Sequence, residues 1–230
     1  MSLAAAALLA LSLSAAEQDP AILFQRGIAL KNAGRIPEAI AAFDAVIAVS
    51  PDDHEAFNNR GALRFMLSDF KGADEDFSRA IVLSPKDPKA WGNRCLLAVV
   101  EERAEEGLPD CVRALREDPK HYQAYNNIGY ALFELDKVPE AQSAWKQAAQ
   151  LSPESAEPLL GLAIAALRSG ERRDCPTLLK GAIALKPLIG RGPERYEAVE
   201  GPFFAQQARR AVKELLRLFP VKVKARPKSP

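Results

Sequence analysis

The sequence is poor in the side chains that carry most enzyme chemistry. Its 230 residues include two histidines, His54 and His121, and three cysteines. None of the HExxH, GxSxG, GxGxxG and GxxxxGK[ST] patterns occurs, which excludes the common zinc-protease, serine-hydrolase, dinucleotide-binding and phosphate-loop arrangements. We therefore predict that the protein is not an enzyme, with no catalytic residues, no metal site and no cofactor.

The chain also lacks an excess of charge of either sign. Lys and Arg total 31, Asp and Glu total 30, and the formal net charge is +1. Because a near-neutral chain has no general attraction to phosphate backbones, we predict no nucleic-acid partner. The acidic run Asp74-Glu75-Asp76 is predicted to be a solvated helix face.

Long apolar runs are absent, and the longest candidate lies at the N-terminus. Residues 1–16 read MSLAAAALLALSLSAA, and the apolar stretch Leu3–Leu13 is too short to span a bilayer. Ser14-Ala15-Ala16 offers the small residues that a signal peptidase reads. We predict a signal peptide over residues 1–16, a periplasmic or secreted protein, and no integral membrane segment in the mature chain. Because this segment contains no Lys or Arg, an N-terminal extension of a cytoplasmic protein is the alternative.

Aromatic residues are scarce, at 7%, but prolines recur with a fixed period. Five of them follow one another at intervals of 34 residues: Pro51, Pro85, Pro119, Pro153 and Pro187. A small residue recurs in the same phase at Ala39, Ala73, Gly107, Ala141 and Cys175. Four residues further on, a larger side chain recurs at Phe43, Phe77, Cys111, Trp145 and Leu179. Such a period is typical of stacked repeat units.

Each period is predicted to contain two helices of about a dozen residues joined by a short turn. The turn positions are Gly34, Ser68, Glu102, Asp136 and Gly170. Proline ends the second helix because it cannot continue the hydrogen-bond ladder and constrains the residue before it. No run of apolar and polar alternation supports a β-sheet.

This pattern resembles that of the tetratricopeptide-repeat (TPR) family, W-x2-L-G-x2-Y, then A-x3-F, then P. The resemblance implies an all-α fold, a right-handed TPR superhelix (an α-solenoid) of five 34-residue helix-turn-helix repeats plus a C-terminal capping helix. The repeats occupy 20–53, 54–87, 88–121, 122–155 and 156–187. Residues 188–219 form a degenerate segment and an amphipathic helix that covers the last apolar face, and 220–230 form a basic, proline-containing tail.

The resemblance also implies a function, that of a non-catalytic scaffold or adaptor. The first helix of each repeat lines a concave groove in which TPR proteins hold a peptide or helix of a protein partner. A polar column would bond an extended backbone, formed by Gln25, Asn59, Asn93 and Asn127. The side chains beside the column are Phe65, Lys89, Leu96, Tyr130 and Phe133.

Three alternatives to this groove hypothesis stay open. The Asn column could serve only to bond neighbouring helices. The C-terminal helix, or a second copy of the protein, could cover the groove. The protein could also be a self-associating structural or assembly factor of a cell-envelope complex.

The cysteines of the third repeat invite a further prediction. In an antiparallel hairpin whose turn lies near Glu102–Arg103, residues whose numbers sum to about 206 face each other, and Cys95 and Cys111 satisfy this condition. In an exported protein a disulfide between them is plausible. In a cytoplasmic protein they would be two small buried thiols. Cys175 takes a small-residue position and is predicted to be a packing residue.

Overall fold

A computed structural model describes residues 19–193 and 206–220, and within these ranges it contains helices and no strand. The predicted all-α fold of five helical hairpins and a C-terminal helix is confirmed. The predicted signal peptide, residues 194–205 and the tail beyond Pro220 lie outside the described residues.

The described residues contain eleven α-helices and one 3-10 turn. They are α1 (Pro20–Asn32), α2 (Ile36–Val49), α3 (His54–Met66), α4 (Phe70–Leu83), α5 (Pro88–Val100), α6 (Ala104–Glu117), α7 (Tyr122–Glu134), α8 (Val138–Leu151), α9 (Ala156–Arg168), α10 (Cys175–Leu185), the 3-10 turn Pro187–Arg191 and α11 (Gln206–Leu218). We call the first helix of each hairpin the A helix (α1, α3, α5, α7, α9) and the second the B helix (α2, α4, α6, α8, α10).

The chain divides into two compact units, and the division falls within α5. Unit 1 is Met1–Leu97 and unit 2 is Ala98–Pro230. In unit 1, α1 packs on α2, α2 on α3, and α3 on α4. In unit 2, α6 packs on α7, α7 on α8, α8 on α9, and α9 on α10. Within each unit, these neighbouring helices thus bury their apolar faces against one another, as a lone hairpin cannot.

The turn inside each hairpin has one residue in the left-handed region. The residues are Gly34, Ser68, Glu102, Asp136 and Gly170, with φ between 58° and 79°. These are the five turn positions that the 34-residue period predicts. Three of them are not glycine, so the repeat geometry imposes a backbone conformation that costs L-residues about 1–2 kcal/mol.

Small residues on the A helices make room for large ones on the B helices. A Cβ atom added to Gly27 would lie 2.9 Å from Phe43 Cζ, and one added to Gly61 would lie 2.8 Å from Phe77 Cε1. Trp145 is fully buried in the same way against Gly129. The close A–B packing expected from the sequence is therefore present in three repeats.

The C-terminal elements of unit 2 occupy two different places. The 3-10 turn packs on α10 and buries Ile189. Helix α11 packs on α9 and α7, and its apolar residues Ala208, Val212 and Leu215 are buried in the unit 2 core. The predicted amphipathic helix is thus present, and it lies on two A helices.

Candidate functional site

The polar column predicted in unit 1 lies on its A helices and is partly accessible. Gln25 and Lys89 are exposed, and Asn59, Asn93 and Leu96 are half-buried. These five residues define what we call the unit 1 A-face. Phe65, predicted to lie beside them, is 9% exposed, and its ring centroid lies 5.9 Å from that of Phe70.

The Asn59 amide is held by groups on two helices. Its Nδ2 donates to the Glu55 carbonyl oxygen of the same helix at 2.9 Å, and Lys31 Nζ on α1 donates to its Oδ1 at 3.2 Å. Burial lowers the pKa of Lys31. The Asn59 side chain is therefore fixed in orientation, and it links α3 to α1.

Asn93 makes the equivalent link one repeat later. Its Nδ2 donates to Oδ1 of the buried Asn58 at 2.9 Å, which ties α5 to α3. Beside it, Lys89 Nζ lies 3.4 Å from Glu55 Oε1. The alternative in which the Asn column bonds neighbouring helices is thus observed for Asn59 and Asn93. An amide has four hydrogen-bonding positions, so peptide binding by these residues stays a prediction beside it.

In unit 2 the predicted site residues lie in the core. Asn127 is 4% exposed, and Tyr130 and Phe133 are each 1% exposed. The Tyr130 ring packs edge-on against Trp145 with centroids 5.1 Å apart, and Phe133 lies 5.9 Å from the same ring. Burial raises the pKa of the Tyr130 hydroxyl well above its usual value, and the charge of Glu157 adds to this effect. A partner cannot reach these side chains in this conformation.

A buried ion network in unit 1 was not predicted from the sequence. Arg60 donates to Asp76 Oδ1 at 2.6 Å and to Asp44 Oδ1 at 2.7 Å, and Arg64 donates to Asp76 Oδ2 at 2.8 Å. Asp76 is 2% exposed, so its prediction as part of a solvated acidic face was wrong. The signal was present, since the offset of 16 residues that pairs Gly61 with Phe77 also pairs Arg60 with Asp76.

The charges of this network are strongly influenced by burial. Burial raises the pKa of the Asp76 carboxyl, and its bonds to Arg60 and the charge of Arg64 oppose the rise. Burial also works against the charged form of Arg60, but the hydrogen bonds to Asp76 and Asp44 prevail and raise its pKa. The arrangement is a closed set of charge-assisted hydrogen bonds that joins α2, α3 and α4 within unit 1.

Each of the two histidines contacts another group of the chain. His121 caps α7, because its Nδ1 accepts a hydrogen bond from Ala124 N–H at 3.2 Å. His54 Nδ1 lies 3.4 Å from Asp87 Oδ2. Within residues 19–193 and 206–220 no group of three or more His, Cys, Asp or Glu residues is arranged to bind a metal ion. Every helix in the same ranges is too short or too polar to cross a bilayer.

Two open clefts lie among the described residues of unit 2 near the predicted site residues and α11. One, of about 410 Å³, is lined by Glu102–Glu106, Glu134 and Leu135. The other, of about 490 Å³, lies between α9 and α11, and its lining includes Arg168, Arg172 and Arg210. A third cleft, of about 400 Å³, lies beside the 3-10 turn.

Comparison with known proteins agrees with the repeat period. The family model described as tetratricopeptide repeat matches residues 24–88 and 128–171. No curated protein matches the sequence.

Several solved structures are similar in fold. PilW, a widely conserved type IV pilus biogenesis factor, is 18% identical with a TM-score of 0.67, over 86% of this chain and 92% of that one. A thermophilic TPR protein of Thermus thermophilus, TTC0263, is 21% identical with a TM-score of 0.65, over 74% and 92%. YrrB, a TPR protein with an unusual peptide-binding site, is 18% identical with a TM-score of 0.52, over 74% and 88%.

Proposed function

Because the chain is a tetratricopeptide-repeat protein, we propose that it is a non-catalytic scaffold that binds a peptide or helix of a protein partner on its A helices. The observation that supports the proposal is the accessible and ordered surface that we call the unit 1 A-face. Its amides stand in fixed orientations, and its five residues are exposed or half-buried. Side chains that are already ordered lose little conformational entropy when a partner binds.

The unit 1 A-face suits an extended peptide segment. The Asn59 and Asn93 amides can donate to and accept from a peptide backbone, whose groups repeat along its length. Leu96 offers an apolar contact, and the exposed Lys89 favours an acidic side chain on the partner, although its ion pair with Glu55 would be shared. Gln25 extends the same row by one repeat.

Site-specific photo-crosslinking in the native host tests this proposal. A photoreactive residue at Lys89 is expected to trap one protein partner. The matched control is a photoreactive residue at Lys71, which is also exposed but lies on the B helix α4. Equal trapping from both positions, or trapping of nothing from Lys89, would place the function elsewhere.

A self-associating assembly factor of a cell-envelope complex is the second candidate. It is supported by the similarity in fold to PilW, a pilus biogenesis factor, over most of both chains. Sedimentation of the purified protein over a wide concentration range distinguishes the two. A mass that rises with concentration favours self-association, and a constant monomer mass excludes it.

We also propose that the protein acts outside the cytoplasm. The support is the composition of residues 1–16, with its short apolar stretch and small residues before Glu17. The mass of the protein isolated from its native host tests this. A mature chain that begins at Glu17 is expected, and a chain that retains residues 1–16 would contradict export.

A further inference from the structure

The C-terminal helix of unit 2 does not lie where the next repeat would begin. An A helix in this array packs against the B helix of its own hairpin and against the B helix before it, as α9 packs on α10 and α8. Helix α11 instead packs on α9 and α7, which are both A helices. The end of the hairpin array, at α10, is contacted by the 3-10 turn with its buried Ile189. Helix α11 therefore lies on the A helices α7 and α9 of unit 2, and A helices are the elements on which the proposed function places a partner.

The contacts of α11 are those of a helix held by a receptor surface. Ala208, Val212 and Leu215 are each at most 1% exposed, at spacings of four and three residues. Such i, i+4, i+7 anchors are the usual signature of an amphipathic helix bound by a groove. The opposite face of α11 is exposed and mostly charged, and it consists of Arg210, Lys213, Glu214 and Arg217.

The first turn of α11 is fixed by a carboxylate of α7. Ala208 N–H donates to Glu134 Oε1 at 2.9 Å. The first N–H groups of a helix have no partner within the helix, and a negative charge beside them is favourable. Glu134 therefore recognises a helix N-terminus, a feature that any helix bound in this orientation would present.

Helix α11 does not completely fill the space beside α9. The cleft of about 490 Å³ between α9 and α11 brings Arg210 of the helix to the same opening as Arg168 and Arg172. Three positive charges on one cleft repel one another, although Glu214 and Asp136 offset part of this. A helix with a carboxylate at the position of Arg210 would meet these arginines more favourably.

We propose that the surface formed by α7 and α9 is a binding site for an amphipathic partner helix, and that α11 is an intramolecular competitor that occupies it. The proposal rests on the proposed scaffold function and names the class of partner. The partner helix has small, β-branched and Leu anchors at i, i+4 and i+7, and an acidic side chain at i+2. Because a tethered helix acts at a high effective concentration, α11 occupies the site when no partner is present. A partner helix binds only after α11 has left the site.

A peptide-binding experiment on the full chain tests this. The probe is a labelled peptide of residues 203–220 that carries Arg210→Glu. The full chain with Val212→Asp is expected to release α11 and to bind the probe at least about tenfold more tightly than the parent chain. The matched control chain carries Lys213→Glu on the exposed face of the same helix and is expected to bind as the parent does. Equal binding by the parent and Val212→Asp chains, or no binding by a Val212→Asp chain that keeps its helicity, would overturn the proposal.

Hydrogen exchange in the parent chain is a second test that needs no variant. Amides of α11 are expected to exchange at least about tenfold faster than those of α9, because α11 opens locally while the hairpins stay folded. Equal exchange rates in the two helices would overturn the proposal. Neither test uses a cellular partner, so its failure is distinct from a failure of the cross-linking experiment at Lys89.

Discussion

At the scale of single residues, the Arg60 network is the feature of unit 1 that carries the largest electrostatic consequence. Replacing Arg60 by Ala leaves Asp76 and Asp44 buried without their principal partner. We expect a loss of about 3–5 kcal/mol in the free energy of unfolding at neutral pH. Urea denaturation followed by circular dichroism measures this. The matched control is Arg79→Ala, because Arg79 also stacks over the Phe57 ring but is exposed. Its expected cost is within about 0.5 kcal/mol.

The same variant has a predictable pH dependence. Burial already raises the pKa of Asp76, and removal of Arg60 removes an interaction that opposes the rise. A carboxyl whose pKa is higher in the folded than in the unfolded state binds protons preferentially when folded, so lowering the pH stabilises the fold. The difference in the free energy of unfolding between the parent chain and Arg60→Ala should therefore become smaller as the pH falls from about 7 to about 5. If this difference in the free energy of unfolding instead grows as the pH falls, Asp76 is not the group left unpaired.

The residue types alone predicted only part of the packing of unit 1. The glycine and aromatic positions followed from the period, and their contacts are present in unit 1 at Gly27 with Phe43 and Gly61 with Phe77. Asp76 was assigned to solvent because a run of three acidic residues usually is solvated. Which carboxylate of such a run points inward depends on the position of an arginine on another helix, and a local pattern does not contain that information.

At the scale of the element, the hairpin turns were fully predictable because their geometry repeats. Glu102 has φ 62°, the same conformation that Gly34 and Gly170 adopt. We expect Glu102→Gly to raise the free energy of unfolding by about 0.5–1 kcal/mol, since glycine avoids the left-handed penalty at some entropic cost. The converse variant, Gly170→Ala, should lose about 1 kcal/mol. Denaturant midpoints measure both, and a gain for Gly170→Ala would contradict the argument.

The third hairpin supplies a redox prediction. Cys95 and Cys111 are fully buried, and they take the positions at which Gly27 meets Phe43 and Gly129 meets Trp145 in other repeats. We expect them to form a disulfide in an exported protein, worth about 3 kcal/mol in the loop-entropy model. Alkylation in denaturant without reductant should modify one thiol, the free Cys175. Modification of all three thiols would contradict the prediction.

At the scale of the whole molecule, the period predicted the hairpins but not the place of the C-terminal helix. Its apolar residues Ala208, Val212 and Leu215 showed that it needs a surface to cover. The sequence left two surfaces open for this helix, the last apolar face of the array and the groove, because the 34-residue register ends at Pro187 and no longer fixes the packing of later elements. Only the packing of α11 on α7 and α9 reveals that it occupies A helices. The polar column of unit 1 was placed correctly on the A helices, but its bonds between helices depend on side-chain geometry that a sequence does not carry.

The central claim is that the A helices of unit 1 receive a protein partner. The most direct test is a hydrogen-exchange footprint of the purified chain with the partner trapped at Lys89. The account predicts slower exchange in the A helices α1, α3 and the unit 1 part of α5, and unchanged exchange in the B helices α2 and α4. Protection confined to α2 and α4, or no protection in unit 1 at a saturating partner concentration, would contradict it.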